Sequence, residues 1–150
     1  MDVSIDIDIA NTREVVWQTI TDTNQFKDMI SSILAIEILN QPETGLKGLK
    51  WKETRLMFGK EASEVMWVTD SVENEYYCTR AESHGSIYLT RLSLTKLKDD
   101  HCKLTMTFEG QAQTIMMKIL SVLMSPFIKS SMKKMLLKDL EEIKAYIESK

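Results

Sequence analysis

Residues 3–9 read VSIDIDI, so that Val3, Ile5, Ile7 and Ile9 alternate with Ser4, Asp6 and Asp8. A period of two predicts a strand with one face buried and the other in water. The period then changes. Asn11 stands three residues before Glu14, the pattern of a capping box with Asn11 as the cap. Val16 and Ile20 follow at helical spacing with Trp17 beside them, which predicts a helix of about ten residues. Asp22 is placed to cap a second short helix carrying Phe26, Met29 and Ile30.

From residue 31 to about 113 the period of two returns. ILAIEIL (33–39) is one predicted strand, and QPETGLKG (41–48) is a turn region by its proline and glycines. LKWKETRLMF and EASEVMWVTD, joined at Gly59-Lys60, predict a hairpin, as do YYCTRAES and SIYLTRLSLTKL, joined at His84-Gly85. Lys98, Asp99 and Asp100 turn the chain into HCKLTMTFEGQA. The rest, from about Thr114 to Lys150, has helical period. The order is one strand, two short helices, about six antiparallel strands and one long helix. A meander of that length must bury a face, and only the last helix is large enough to cover it. The expectation is a single α+β domain over residues 1–150, its curved sheet of six or seven strands wrapped around the C-terminal helix.

The turns set the register. A two-residue loop at Gly59-Lys60 places Arg55 opposite Glu64, Glu53 opposite Met66 and Trp51 opposite Val68. Lys50, Lys52 and Thr54 then face solvent, so Trp51, Glu53, Arg55, Glu64 and Met66 share the inner face, although Leu56 and Trp67 fall outside. The His84-Gly85 turn sets Ala81 opposite Tyr88 and Thr79 opposite Thr90. A three-residue loop at 98–100 sets Leu94 opposite Leu104 and Leu92 opposite Met106. Tyr88, Leu92, Leu94, Leu104, Met106 and Phe108 therefore join the inner face.

The final helix carries one apolar stripe through Ile128, Met132, Met135, Leu136, Leu140, Ile143 and Ile147, extended backward by Met117, Leu120 and Met124. Residues 115–128, IMMKILSVLMSPFI, hold a second stripe of Met116, Ile119, Leu123 and Phe127. Two stripes must be buried on two sides, against the short helices or against a ligand. Pro126 has no N–H to donate and is expected to kink or break the helix.

Composition narrows the function classes. The 150 residues carry a formal charge of −3, which argues against nucleic acid. A chain of this length buries about 68–70% of its unfolded surface and needs no staple. The N-terminus lacks the basic and apolar regions of a signal peptide. No apolar run reaches the ~18–20 residues of a spanning helix. Cys78 and Cys102 have no metal spacing and read as free thiols of a cytoplasmic protein. His84 and His101 fall in turns with no nucleophile or metal partner at suitable spacing. There is no GxSxG, HExxH, phosphate-loop or dinucleotide fingerprint, so no catalytic residue, metal or cofactor is assigned. The GLKG stretch reads as a flexible loop. Ten methionines suit either core filling or an adaptable surface. Five lysines (118, 129, 133, 134, 138) and no acid between Ile115 and Lys138 suit either a solvated face or transient contact with an anionic membrane.

VVWQTITD with Phe26, GLKGLKWKETR with Gly59, and the terminal LEEIKAYIESK resemble the SRPBCC superfamily of START-like, helix-grip domains, in its polyketide cyclase/dehydrase-like branch. The resemblance covers nearly the whole chain. It implies a sheet gripping the C-terminal helix, an apolar cavity between them, and a lipid, polyketide or other lipophilic ligand. The expected lining is Trp51, Glu53, Arg55, Glu64, Met66, Tyr88, Thr90, Leu92, Met106 and Phe108 from the sheet, with Leu120, Leu123 and Met124 from the helix. Arg55 and Glu64 form either a structural ion pair or a ligand contact. Tyr88 and Thr90 bond either a ligand or neighbouring protein groups. The function expected is carriage of a lipophilic molecule. The alternatives are a cyclase or dehydratase, and a module that uses the methionine-rich helix against a protein or membrane. Oligomeric state is left open.

Overall fold

The computed structural model describes residues 2–83, 85–112 and 115–150; of 112, 115–117 and 119–125 it describes the backbone alone. The chain runs β1 (Asp2–Ile9), α1 (Arg13–Ile20), α2 (Thr23–Met29), β2 (Ile33–Asn40), β3 (Lys50–Met57), β4 (Lys60–Val72), β5 (Tyr76–Ser83), β6 (Ser86–Lys98), β7 (His101–Ala112) and α3 (Ile115–Glu148). The strands form one antiparallel sheet in the order β1-β7-β6-β5-β4-β3-β2. β1 and β2 lie at opposite edges, so α1 and α2 carry the chain from one edge to the other. α3 packs chiefly on β1 and β7. The architecture is the expected α+β helix grip.

The alternating residues of β1 divide as their polarity demands: Val3 and Ile9 are buried while Asp2 and Ser4 are exposed. Trp17, Val16 and Ile20 of α1 are buried, as are Phe26 and Met29 of α2. The cap of α1 is Thr12, not Asn11. Thr12 is extended, and its hydroxyl accepts from the Val15 amide at 3.2 Å. Asn11 instead accepts from the Thr12 amide at 2.8 Å. Asp22 caps α2 as expected, accepting from the Asn24 amide at 3.0 Å.

The β5–β6 and β6–β7 registers are those the turns predicted: Thr79 faces Thr90, Ala81 faces Tyr88, Leu92 faces Met106 and Leu94 faces Leu104. The β3–β4 register differs by two residues. Phe58 and Gly59, both at positive φ (51° and 80°), form the two-residue turn, and Met57 pairs with Lys60. Two left-handed residues give the twist a tight hairpin needs. Arg55 therefore faces Ala62, Glu53 faces Glu64 and Trp51 faces Met66. A shift of two keeps every side chain on its face, so the inner-face assignment survives while the pairing does not.

The C-terminal half of α3 supplies the core: Met132, Leu136, Leu140, Ile143 and Ile147 are buried. Polar clamps hold it. Lys144 donates to the Asp8 carbonyl at 2.6 Å, Glu148 accepts from the Ala10 amide at 2.8 Å, and Glu142 accepts from the Ser31 amide and hydroxyl at 2.9 and 3.0 Å. Of the kink or break expected at Pro126 the break does not occur, and a second expectation for the helix fails. The helix continues through Pro126 without a break; Pro126 is exposed, where water can serve the backbone carbonyl that its missing N–H leaves unbonded. Phe127 and Ile128, expected in buried stripes, are 75% and 38% exposed. All residues from 126 to 130 are exposed.

Candidate functional site

The concave face of the sheet changes character along its strands. Near α1 and the end of α3 it is closed: Tyr77, Leu92, Leu94, Leu104 and Met106 are buried. Toward the other end Met66, Tyr88, Thr90 and Phe108 are only half-buried. Register brings these together, since Trp51, Met66, Ala81 and Tyr88 are successive cross-strand partners, and Thr79, Thr90 and Phe108 are another such row. The Tyr88 and Phe108 rings stack at 5.8 Å with 21° between their planes. Leu120, Leu123 and Met124, expected to close this space from the helix, lie outside the described side chains, as His84 lies outside the described residues.

One edge of this face carries a buried ionic cluster. Arg55 meets Glu53 through Nε at 3.3 Å and Asp139 of α3 through Nη1 at 2.9 Å; the three side chains are 13%, 13% and 4% exposed. Trp51 donates its indole N–H to the other Glu53 oxygen at 3.3 Å. Glu64 is beside Glu53 across the hairpin, not across from Arg55 as expected. Burial pushes both the Glu53 and Asp139 carboxyls up, against the attraction of Arg55. Desolvation outweighs the attraction of Arg55 at each of the two carboxyls. Asp139 was missed in the sequence, yet its signal is there: it sits three residues after Leu136 and four before Ile143, inside the buried stripe.

A second feature lies where α1 and α2 meet the sheet. Ile20, Thr21, Phe26, Leu46, Leu49, Trp51, Val68 and Tyr77 line a pocket of about 10 Å³. That is about the room of one water molecule, far below the ~300–1,000 Å³ of ligand pockets. Phe26 meets Trp51 edge-on at 5.9 Å, and Trp17 meets Tyr77 likewise at 5.9 Å. The Tyr77 hydroxyl donates to the Ile20 carbonyl at 2.9 Å, and burial pushes its pKa upward. The GLKG loop closes the pocket and is tied down: Gly48 N–H donates to the Val68 carbonyl at 3.0 Å, Val68 N–H to Leu49 at 2.9 Å, and Asn40 to the Gly48 carbonyl at 2.9 Å. At that size the pocket has no room for an organic ligand.

Cys78 and Cys102 are free, the latter buried with its thiol pushed up by burial. His101 opens β7 rather than lying in a turn, and its Nδ1 is 2.8 Å from Asp100. Among the described residues no group of His, Cys, Asp and Glu is arranged to hold a metal ion, and no helix is long and apolar enough to cross a membrane.

No family model matches the chain, and no curated protein sequence matches it. Solved structures do. A START superfamily protein from Mycobacterium smegmatis superposes with a TM-score of 0.81 at 16% identity, covering 99% of this chain and 97% of that one. TTHA0849 from Thermus thermophilus gives 0.81 at 12% identity, covering 99% and 98%. The Zhui aromatase/cyclase from Streptomyces sp. R1128 gives 0.78 at 12% identity, covering 99% and 93%. The fold is thus the START-like helix grip, seen also in the Zhui aromatase/cyclase.

Proposed function

We propose that the protein binds and carries a lipophilic small molecule, a lipid, polyketide or similar compound, between the half-buried end of the sheet and the first half of α3. The observation that carries this reading is the concave patch of Met66, Tyr88, Thr90 and Phe108, accessible although it lies on the inner face of the sheet. Apolar surface in such a place gains about 25 cal/mol per Å² when a ligand removes it from water. Leu92 and Met106 form its floor, and Trp51 supports the wall behind it. Glu53, Arg55 and Glu64 border the patch and would orient a polar end of the ligand, with the Tyr88 and Thr90 hydroxyls as further contacts. No cofactor or metal is needed. The two free thiols support a reducing, cytoplasmic setting.

Carriage is favoured over cyclase or dehydratase chemistry by the state of Arg55. Both flanking carboxylates already engage it, and acid–base work needs groups that converge on substrate. The test is binding of an apolar dye, anilinonaphthalene sulfonate, together with native mass spectrometry of the purified protein for a co-purified lipophile. Thr90→Trp fills the patch and should abolish dye binding and any lipophile adduct. Dye binding unchanged by Thr90→Trp, with no adduct on the wild type, would refute the reading.

A further inference from the structure

We propose that the exposed face of α3 around Phe127 docks on an anionic lipid surface. The starting point is position. Phe127 is a 75%-exposed aromatic residue at a turn where residues 126–130 are all exposed. Phe127, Lys134 and Lys138 fall on one line of the helix, at i, i+7 and i+11, flanked on one side by Ser130 and Leu137, with Lys133 further round on that side. Leu137 is 42% exposed and Ile128 38%. At 1.5 Å per residue the face from Pro126 to Lys138 is about 18 Å long. It joins the apolar Phe127 and Leu137 to the cations Lys134 and Lys138.

The charge of this face is compensated only at its far end. No acidic residue occurs between Ile115 and Lys138. Among the described residues Lys133 and Lys134 make no ion pair, while Lys138 lies 3.8 Å from Glu142 and 3.4 Å from the Ser31 hydroxyl. The first acid after them, Asp139, points inward to Arg55, and the exposed Glu141 marks the end of the basic face. A cationic face with protruding apolar residues is complementary to an anionic bilayer, where headgroups meet the lysines and Phe127 enters the acyl boundary. Among the described residues no helix is fit to cross a membrane, so the contact is peripheral. The opposite side of the same helix is core, so docking requires no unfolding.

The test is co-sedimentation of the full chain with phosphatidylcholine vesicles, with and without phosphatidylserine, at low and high salt. The wild type is expected to partition onto the serine-lipid vesicles only and to be released by salt. Lys133→Glu/Lys134→Glu should weaken partitioning by about tenfold or more, and Phe127→Ser by several-fold. Both variants alter exposed side chains and should keep the wild-type circular dichroism and Tm. Thr90→Trp should partition as the wild type does, which separates this surface from the ligand patch. Failure of the wild type to partition, equal partitioning onto pure phosphatidylcholine, or variants that bind undiminished would overturn the proposal. So would a concentration-dependent dimer abolished by Phe127→Ser, which would assign the face to a second copy of the chain.

Discussion

At Phe58 a bulky side chain holds a left-handed backbone, φ 51°, while lying 68% exposed. For a residue with a Cβ that conformation costs about 1–2 kcal/mol, and Asn tolerates it best after Gly. Phe58→Asn gives up little packing, so we expect it to raise stability by about 0.5–1 kcal/mol, read as a higher urea midpoint at unchanged slope. A lower midpoint would mean that Phe58 has a packing role. Arg55 is the opposite case. Its removal alone as Arg55→Met leaves Glu53 and Asp139 buried without a cation, which should cost about 3–5 kcal/mol. Adding Glu53→Leu and Asp139→Leu should return most of that loss, because an apolar cluster of similar volume has no charge to desolvate. A triple variant as unstable as the single one would contradict this account. The sequence made Arg55 inward by parity but chose the wrong partner. Its turn residues, Phe58-Gly59, are hidden by the expectation that Phe avoids positive φ, and Gly59-Lys60 looked the better pair.

At the scale of elements, α3 has a C-terminal half that builds the core and an exposed turn at 126–130 before it. Leu140 is wholly buried and Leu137, three residues earlier, is 42% exposed. Leu140→Ala should therefore cost about 2–5 kcal/mol and Leu137→Ala less than about 0.5. Equal losses by denaturant titration would show that α3 is rotated from the packing described. The meander of strands after α2 and its later registers were legible because each follows from a period of two and a short loop. The helix was legible only where one stripe serves one partner. In residues 115–128 apolar residues occur on every side, and periodicity does not say which side meets protein. Hence Phe127 and Ile128 were expected inside and lie outside. Asp139 was illegible for a related reason: an acid on a buried stripe signals a partner across space, and the partner, Arg55, is eighty-four residues away.

For the whole molecule, the ionic cluster sets a pH dependence whose sign follows from its geometry. Burial holds Glu53 and Asp139 above the ordinary carboxylate range of about 4, outweighing the attraction of Arg55. Between that range and their raised folded values, the folded chain binds more protons than the unfolded chain. Their contribution to stability is therefore greatest at low pH and declines as pH rises through this window. Glu148 and Asp100 act in the other sense. Their carboxyls are held low, by the Ala10 amide with Lys144 and by His101 respectively. Their contribution is present above the ordinary range and is lost as pH falls through the depressed values. Both are exposed, so salt screens them while the buried cluster is little affected. Glu53→Gln should consequently raise stability at neutral pH relative to acid pH, flattening the decline above about pH 4 in urea midpoints taken across a pH series. The flattening should persist at high salt. A pH profile identical to that of the wild type would mean that Glu53 is ionised at no cost and that Arg55 alone compensates both carboxylates.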